Sequence, residues 1–249
     1  MFRKKIQKST NQTDNTQRPL TGPAFFENFD CGLSVYLSEV FKKEKQLSFS
    51  FLSNQQRLDL CIKILEALRH HHQKGHVIGG LAVDDIMVSV SYKSGSIRNV
   101  MIRLPAHANT AAGNQATNPP GWKPFDHILP EWMFNESIDA ASDISIVGQL
   151  FMEIWRIDWP INEDAKLKSK AKIMTDGKIL PANRFWALRA MPADLAASIH
   201  GVMAAMVQKN KASRPDIDSL ITALSDIKEK LMQNPSHDEA CALSYTRHS

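Results

Sequence analysis

Apolar residues recur at intervals of three and four along most of this chain, a spacing that predicts helices. A first helix is predicted over LSVYLSEVF, residues 33–41. A longer helix is predicted over about Gln55–Gln73, since an apolar stripe runs through it and Ser53 is a suitable N-cap. Gly75 follows, and we expect this glycine to end the helix.

The second half of the chain is also predominantly helical in its pattern. Helices are predicted from Ser142 to Trp155, over 193–207 and over 217–232, and a short one near 183–189 within the mixed segment 158–192. The β-rich runs IMVSVSY and IRNVMIRL flank a glycine-containing turn, which predicts a hairpin, and proline-rich residues 105–128 predict a loop. The expected fold class is mainly α with a small β-hairpin.

Composition places the chain among ordinary globular proteins. It has 249 residues, of which 43% are hydrophobic and 22% charged. No apolar run approaches the ~20 residues needed to span a bilayer, so we expect no membrane span. The three cysteines are scattered, and with no apolar signal segment at the N-terminus they favour a reducing, cytoplasmic location and no zinc site. Cys61 lies on an apolar stripe and is expected in the core.

The net charge of +4 is concentrated at one end of the sequence. Residues 1–18 contain five basic residues against Asp14, so the rest of the chain is balanced. We therefore expect a disordered basic leader over 1–22, one domain over 23–232 and a flexible tail over 233–249. Five charges without interleaved aromatic residues are too few to predict nucleic-acid binding. The histidines at positions 70, 71, 72 and 76 are expected to be solvated at a helix end.

Several short motifs follow one another in an informative order. Residues 78–88 read Ile-Gly-Gly-Leu-Ala-Val-Asp-Asp-Ile-Met-Val, Leu129-Pro130-Glu131-Trp132 follows, then Ser142-Asp143-Ile144 at the start of an apolar helix, and finally Arg214-Pro215. In this order and at these separations, residues 26–232 resemble the C-terminal lobe of protein kinases. The resemblance implies a kinase C-lobe-like fold. Only about 25 residues precede the apparent hinge, so we expect the N-terminal lobe to be absent.

The resemblance implies that three charged residues are structural. Glu131 and Arg214 would form a buried ion pair that joins the end of the activation segment to the last helices. Asp143 would cap its helix and accept backbone N–H groups of residues 78–80.

The positions that would carry kinase chemistry are degenerate. The catalytic base aligns with Gly80, the metal-binding asparagine with Asp85, and the second metal-binding position with Arg103. No Asp or Glu occurs from residue 86 to residue 125. We therefore expect no protein kinase activity, no ATP binding, no bound metal and no cofactor.

The leading functional hypothesis is a catalytically inactive pseudokinase that binds a protein partner or a second copy of itself. The expected binding residues are apolar positions of the hinge, catalytic-loop and activation-segment regions: Phe25, Phe26, Phe29, Ile78, Trp122 and Phe125. A bacterial effector acting in a host cytoplasm would suit such a chain. The alternative is a transferase of another reaction type that uses Asp84 or Asp85 with a nucleotide or metal. A third hypothesis is an N-terminal lobe supplied by a separate chain.

Overall fold

The computed structural model describes residues 31–47, 52–91, 97–104, 129–131, 136–189 and 191–233, with the backbone alone at 43–47 and 163. The predicted leader, the loop prediction for 105–128 and the tail prediction beyond residue 233 lie outside these ranges. Among the described residues, none of the helices is both long and apolar enough to cross a membrane.

The described residues form a mainly helical domain with a small sheet, which confirms the predicted class at this coarse level. Six α-helices follow in chain order: α1 Leu33–Leu47, α2 Asn54–Gln73, α3 Ala140–Ile154, α4 Glu163–Asp176, α5 Ala193–Met206 and α6 Ile217–Gln233. Short 3-10 turns occupy Val83–Asp85, Ala182–Arg184, Trp186–Leu188 and Lys211–Ser213.

Both ends of helix α2 follow the local chemistry of the sequence. Ser53 is the N-cap, as predicted; its hydroxyl accepts the Gln56 N–H, and the Gln56 side chain accepts the Ser53 N–H. Gly75 lies just beyond the other end with a φ of 75°, and its N–H donates to the His72 carbonyl. This left-handed conformation favours glycine, and the prediction that Gly75 ends the helix is confirmed.

The predicted hairpin is present and is part of a three-stranded antiparallel sheet. Strands β2 (Ile86–Val90) and β3 (Ile97–Ile102) pair with Val88 opposite Val100, and the register shifts between Ser89 and Val90. The two-residue strand β1 (Cys31–Gly32), which periodicity did not predict, pairs with the other edge of β2. Helix α1 packs against β2 and helix α2 against β3, so the sheet is tied to the helical body.

Helix α3 is the centre of the core. Nearly all of its residues are buried, and it packs against α2 and α5, while α6 packs against α2 and α5. Helix α3 and the end of α5 approach so closely that a Cβ at Gly148 would lie 2.8 Å from the Met206 Cβ and 2.9 Å from the Val207 Cγ1. Only glycine fits at this crossing without displacing the neighbouring helix end.

The segment 158–192 is more regular than predicted. Sequence reasoning described it as mixed and missed helix α4, whose N-cap Asn162 accepts the Ala165 N–H. The helix ends at Gly177, which has a φ of 64°. The short helix predicted near 183–189 is instead two successive 3-10 turns. Lysines and small residues alternate in α4, so its buried stripe is weak in the sequence.

Candidate functional site

The carboxylate of Asp143 fixes the start of the loop over residues 76–85 by accepting backbone hydrogen bonds. The Asp143 side chain is fully buried; its Oδ2 accepts the Ile78 N–H at 2.9 Å and its Oδ1 accepts the Gly79 N–H at 2.7 Å. The backbone contacts expected for this aspartate are therefore present. A carboxylate that receives two backbone donors fixes both the position and the direction of the chain at this point.

Asp143 does not cap helix α3, and this part of the prediction is wrong. The N-cap is Asp139, whose Oδ1 accepts the N–H groups of Ala141 and Ser142 at 3.0 and 3.2 Å. Asp143 lies in the first turn of the helix, so its side chain is available to reach across to the loop. The sequence offered two aspartates four residues apart, and the one nearer the N-terminus takes the cap.

Two histidines predicted to be solvated are structural. His72 Nε2 lies 2.9 Å from Asp143 Oδ2, and His71 Nε2 lies 2.9 Å from the Ile102 carbonyl oxygen. Burial lowers the pKa of His71, although its bond to the Ile102 carbonyl acts in the opposite direction. The end of helix α2 is thereby connected to both α3 and strand β3. The prediction that His71 and His72 are exposed to solvent is wrong, because a buried oxygen lies within hydrogen-bond distance of each ring.

The next residues to consider are those that the kinase resemblance would assign to catalysis or metal binding. Gly80 is buried and has no side chain to act as a base. The Asp85 Oδ2 accepts the Ala82 N–H at 3.0 Å. The Asp84 Oδ1 accepts the Ser34 hydroxyl, and Arg103 donates from Nη2 to the Asp84 carbonyl oxygen at 2.6 Å. These contacts shape the loop and join it to α1 and to the end of β3.

Of the six predicted binding residues, the structure describes only Ile78. Ile78 is only 1% exposed, so its placement on a partner surface is wrong; its apolar side chain packs in the hydrophobic core. The other predicted binding residues lie outside the described residues: Phe25, Phe26, Phe29, Trp122 and Phe125.

Two exposed apolar residues were not predicted. Val35 is 57% exposed and Leu104 is 39% exposed. Each follows a residue bonded to Asp84, so both flank that aspartate. We call this region the sheet-end surface, comprising Ser34, Val35, Asp84, Arg103 and Leu104. Its signal in the sequence is faint, because isolated exposed apolar residues are common.

The predicted contact between Glu131 and Arg214 is present. Arg214 Nη1 lies 2.6 Å from Glu131 Oε1, and both side chains are buried. Arg214 also donates from Nε to the Gln208 carbonyl at 2.8 Å and from Nη1 to the Ala141 carbonyl at 2.9 Å. One guanidinium therefore joins the stretch from Gln208 to Arg214 to Glu131 and to the first turn of α3, both of which are distant from it in sequence.

The next features are a small cleft beside α4 and the metal-ligating side chains in the described part of the chain. Within it, no group of three or more His, Cys, Asp or Glu side chains could hold a metal ion. A small cleft of about 230 Å³ lies beside α4 and is lined in part by Glu153, Trp159 and Lys170. Its polar groups bond to one another, since Trp159 Nε1 donates to Glu153 Oε1 at 2.9 Å and Lys170 Nζ lies 3.7 Å from the same oxygen.

Comparisons with models of known protein families and with curated protein sequences find no match for this chain.

Proposed function

We propose that this chain is a kinase C-lobe-like domain that lacks phosphotransfer activity and acts by binding another protein. Asp143 bonds the backbone at Ile78 and Gly79, as the resemblance implies, yet Gly80 stands where the catalytic base would be. This combination supports the proposal best. A loop that corresponds to a catalytic loop but lacks the catalytic side chain would be suited to architecture and recognition rather than to chemistry.

The surroundings of Gly80 support the same conclusion. Asp85 accepts the Ala82 N–H, and the exposed guanidinium of Arg103 is bonded to the Asp84 carbonyl. A cation here would repel Mg²⁺, which the phosphates of a nucleotide require. The transferase alternative would need Asp84 or Asp85 to exchange these partners for a metal.

A nucleotide-binding measurement tests the inactive half of the proposal. We expect ATP with Mg²⁺ or Mn²⁺ to leave the melting temperature unchanged and no phosphate to be incorporated into the chain or a general protein substrate. Stabilisation by nucleotide that is lost in Asp85→Asn, but kept in the exposed control Asp226→Asn, would favour the transferase alternative.

The binding half of the proposal is assigned to the sheet-end surface. Val35 and Leu104 are the exposed apolar residues beside the loop, and burial of such residues by a partner is favourable. We expect Val35→Glu and Leu104→Glu to fold normally and to release proteins that the wild-type chain captures from cell extracts. Ile161 is fully exposed in the segment that precedes α4, so Ile161→Glu is the matched control. Equal capture by all three variants would remove the sheet-end surface from the proposal.

A further inference from the structure

The ring of His71 joins the end of helix α2 to strand β3. Its Nε2 lies 2.9 Å from the carbonyl oxygen of Ile102, the last residue of β3. A carbonyl oxygen can only accept a hydrogen bond, so Nε2 must carry the proton. The neutral ring then has no proton on Nδ1, and this nitrogen is buried without a hydrogen-bond partner among the described residues.

A second proton on this ring is unfavourable in the folded arrangement. It would turn the buried Nδ1 into a donor, and a buried donor without an acceptor opposes folding. The bond from Nε2 to Ile102 survives protonation and the C-terminal end of a helix favours a cation, so both of these act the other way. Burial outweighs them, and the pKa of His71 lies below its ordinary value of 6.5.

The ionisable neighbours of His71 on its own segment are bases. Positive charge on His70, His76 or Lys74 disfavours a charge on the His71 ring. The ring centroids of His70 and His76 lie 6.0 and 6.1 Å from that of His71. The Nδ1 of His76 is also buried without a hydrogen-bond partner among the described residues. Acid that protonates this group of rings therefore brings like charges together.

Other elements around this end of α2 carry charged groups that are engaged elsewhere. They include Asp143 on α3, Asp218 at the start of α6, and Arg98 and Arg103 on and just after β3. Each of them contacts a described residue other than His71. In the folded arrangement these groups therefore give a charged His71 no ion pair that would offset its burial.

We propose that His71 is a pH-sensitive switch that joins helix α2 to strand β3 when neutral and releases the strand when protonated. The neutral ring donates to the Ile102 carbonyl, whereas a protonated ring turns towards water, where its Nδ1 N–H finds an acceptor. Ile102 directly precedes Arg103 and Leu104, so release frees the end of β3 that carries part of the sheet-end surface. The switch stands apart from the proposed function, and only an effect on a bound partner would rest on it.

Nitrogen-15 NMR of the full wild-type chain tests the state of the ring. A released ring takes up its proton near pH 6.5 and the bonded ring at a lower pH, so release becomes easier as the pH falls below about 6.5. At pH 8 we expect the proton of His71 on Nε2 alone, and we expect its titration midpoint below 6.5. A proton on Nδ1 at pH 8, or a midpoint at or above 6.5, overturns the proposal.

Amide hydrogen exchange tests the release of the strand. The Arg103 N–H donates to the Asp85 carbonyl at 2.7 Å, so its protection reports whether the end of β3 stays in place. We expect its protection factor to fall about threefold or more from pH 8 to about pH 5.5 in the wild type. It should stay constant in His71→Gln, whose side-chain amide can donate to Ile102 without titrating.

His70→Gln is the matched control for the exchange experiment. It removes an exposed ring of the same cluster and leaves the bond to Ile102 in place, so it should retain most of the fall in protection. The proposal is overturned if the wild-type protection factor at Arg103 does not fall in acid. It is also overturned if the protection factor falls equally in the wild type and in His71→Gln.

Discussion

Asp143 and Asp158 lie at opposite ends of helix α3 and have very different surroundings. Asp143 is fully buried and bonds two backbone N–H groups and His72. Asp158 is 59% exposed. Its Oδ2 lies 3.8 Å from Arg184 Nε and 3.7 Å from Arg189 Nη2, which is longer than a hydrogen bond. Near the first end, Arg214 is likewise buried. Near the second end, Arg57 is buried and donates to the Ile154 carbonyl, whereas Arg184 and Arg189 are partly exposed and donate to backbone carbonyls.

The difference shows that charges at the two ends of one helix contribute differently to stability. Charges in a low-dielectric interior act strongly over short distances, and removing one partner leaves the other without compensation. Exposed charges are screened by water and salt, so they contribute little to folding and remain available to a partner. We therefore expect substitution of the buried charges at the first end of α3 to cost more stability than substitution of the exposed Asp158 at the second end.

The largest effect is expected for Arg214→Ala. Truncation leaves Glu131 as a buried, uncompensated carboxylate and removes donors from two backbone carbonyls. We expect the free energy of unfolding in urea to fall by about 3–5 kcal/mol. Arg69→Ala, which breaks the exposed pair with Asp218, is the matched control and should cost about 1 kcal/mol or less. Similar losses for both arginines would break the comparison.

Asp143→Asn should have the next largest effect. The amide cannot accept both the Ile78 and the Gly79 N–H, so a buried donor loses its partner. We expect a loss of about 3 kcal/mol and faster hydrogen exchange at these two amides. Asp158→Asn makes the same chemical change at the exposed end and should cost less than about 1 kcal/mol. Unchanged exchange at Ile78 and Gly79 would contradict the assigned role of Asp143.

Thiol reactivity tests whether the second end of α3 is firmly packed beneath its exposed surface. Cys61 is fully buried near Trp155, the last residue before Arg156, and burial raises the pKa of its thiol far above the ordinary range. In a Cys241→Ser background, we expect a disulfide reagent at pH 8 to modify the half-buried Cys31 at least about 100-fold faster than Cys61. Comparable rates would mean that this end of the helix opens readily.

The smallest effect is expected at the cap of α3. Partial burial alone would raise the pKa of Asp139, but the Lys211 ammonium at 2.8 Å and the N–H groups of Ser142 and Ala141 outweigh it, so the pKa lies below its ordinary value. A carboxyl group whose pKa is lower in the folded state stabilises the fold at pH values above its unfolded-state pKa of about 3.9. This stabilisation is lost as the pH falls through the folded-state pKa.

Asp139→Ala should accordingly cost about 1 kcal/mol at pH 7. The difference between wild type and variant in urea unfolding should shrink below about pH 4, once the wild-type carboxylate is protonated. A difference that grows in acid would show that the sign assigned to this pKa is wrong.

Local chemistry made much of the fold predictable. Ser53 and Gly75 mark the ends of α2 because each satisfies a specific backbone requirement of its own helix terminus. The hairpin of β2 and β3 was predictable for the same reason, since its residues and its turn are neighbours in the sequence. The contacts of Asp143 and Arg214 were inferred from a family resemblance, because nothing local connects residues so far apart.

The parts that sequence reasoning missed depend on tertiary contacts. Helix α4 has only a weak apolar stripe, and β1 is two residues long and exists because β2 lies beside it. The side chain of Ile78 joins the hydrophobic core although the residue lies in a loop, and this packing is not indicated by its sequence neighbours. Arg156, which follows α3 with a φ of 55°, carries no helix-end signal at all, since the usual signal at that position is glycine.

The packing of α2 against α6 has a consequence for synthesis of the chain on the ribosome. Helix α2 ends at Gln73, whereas α6 begins at Ile217. At translation rates of about 5–20 residues per second, the first helix waits on the order of ten seconds for its covering partner. During that interval the part of its surface that α6 covers is open to solvent and to other nascent chains. Late folding steps, rather than early helix formation, should therefore govern how much of the newly made protein reaches its native form, and a chaperone that shields α2 should increase that yield.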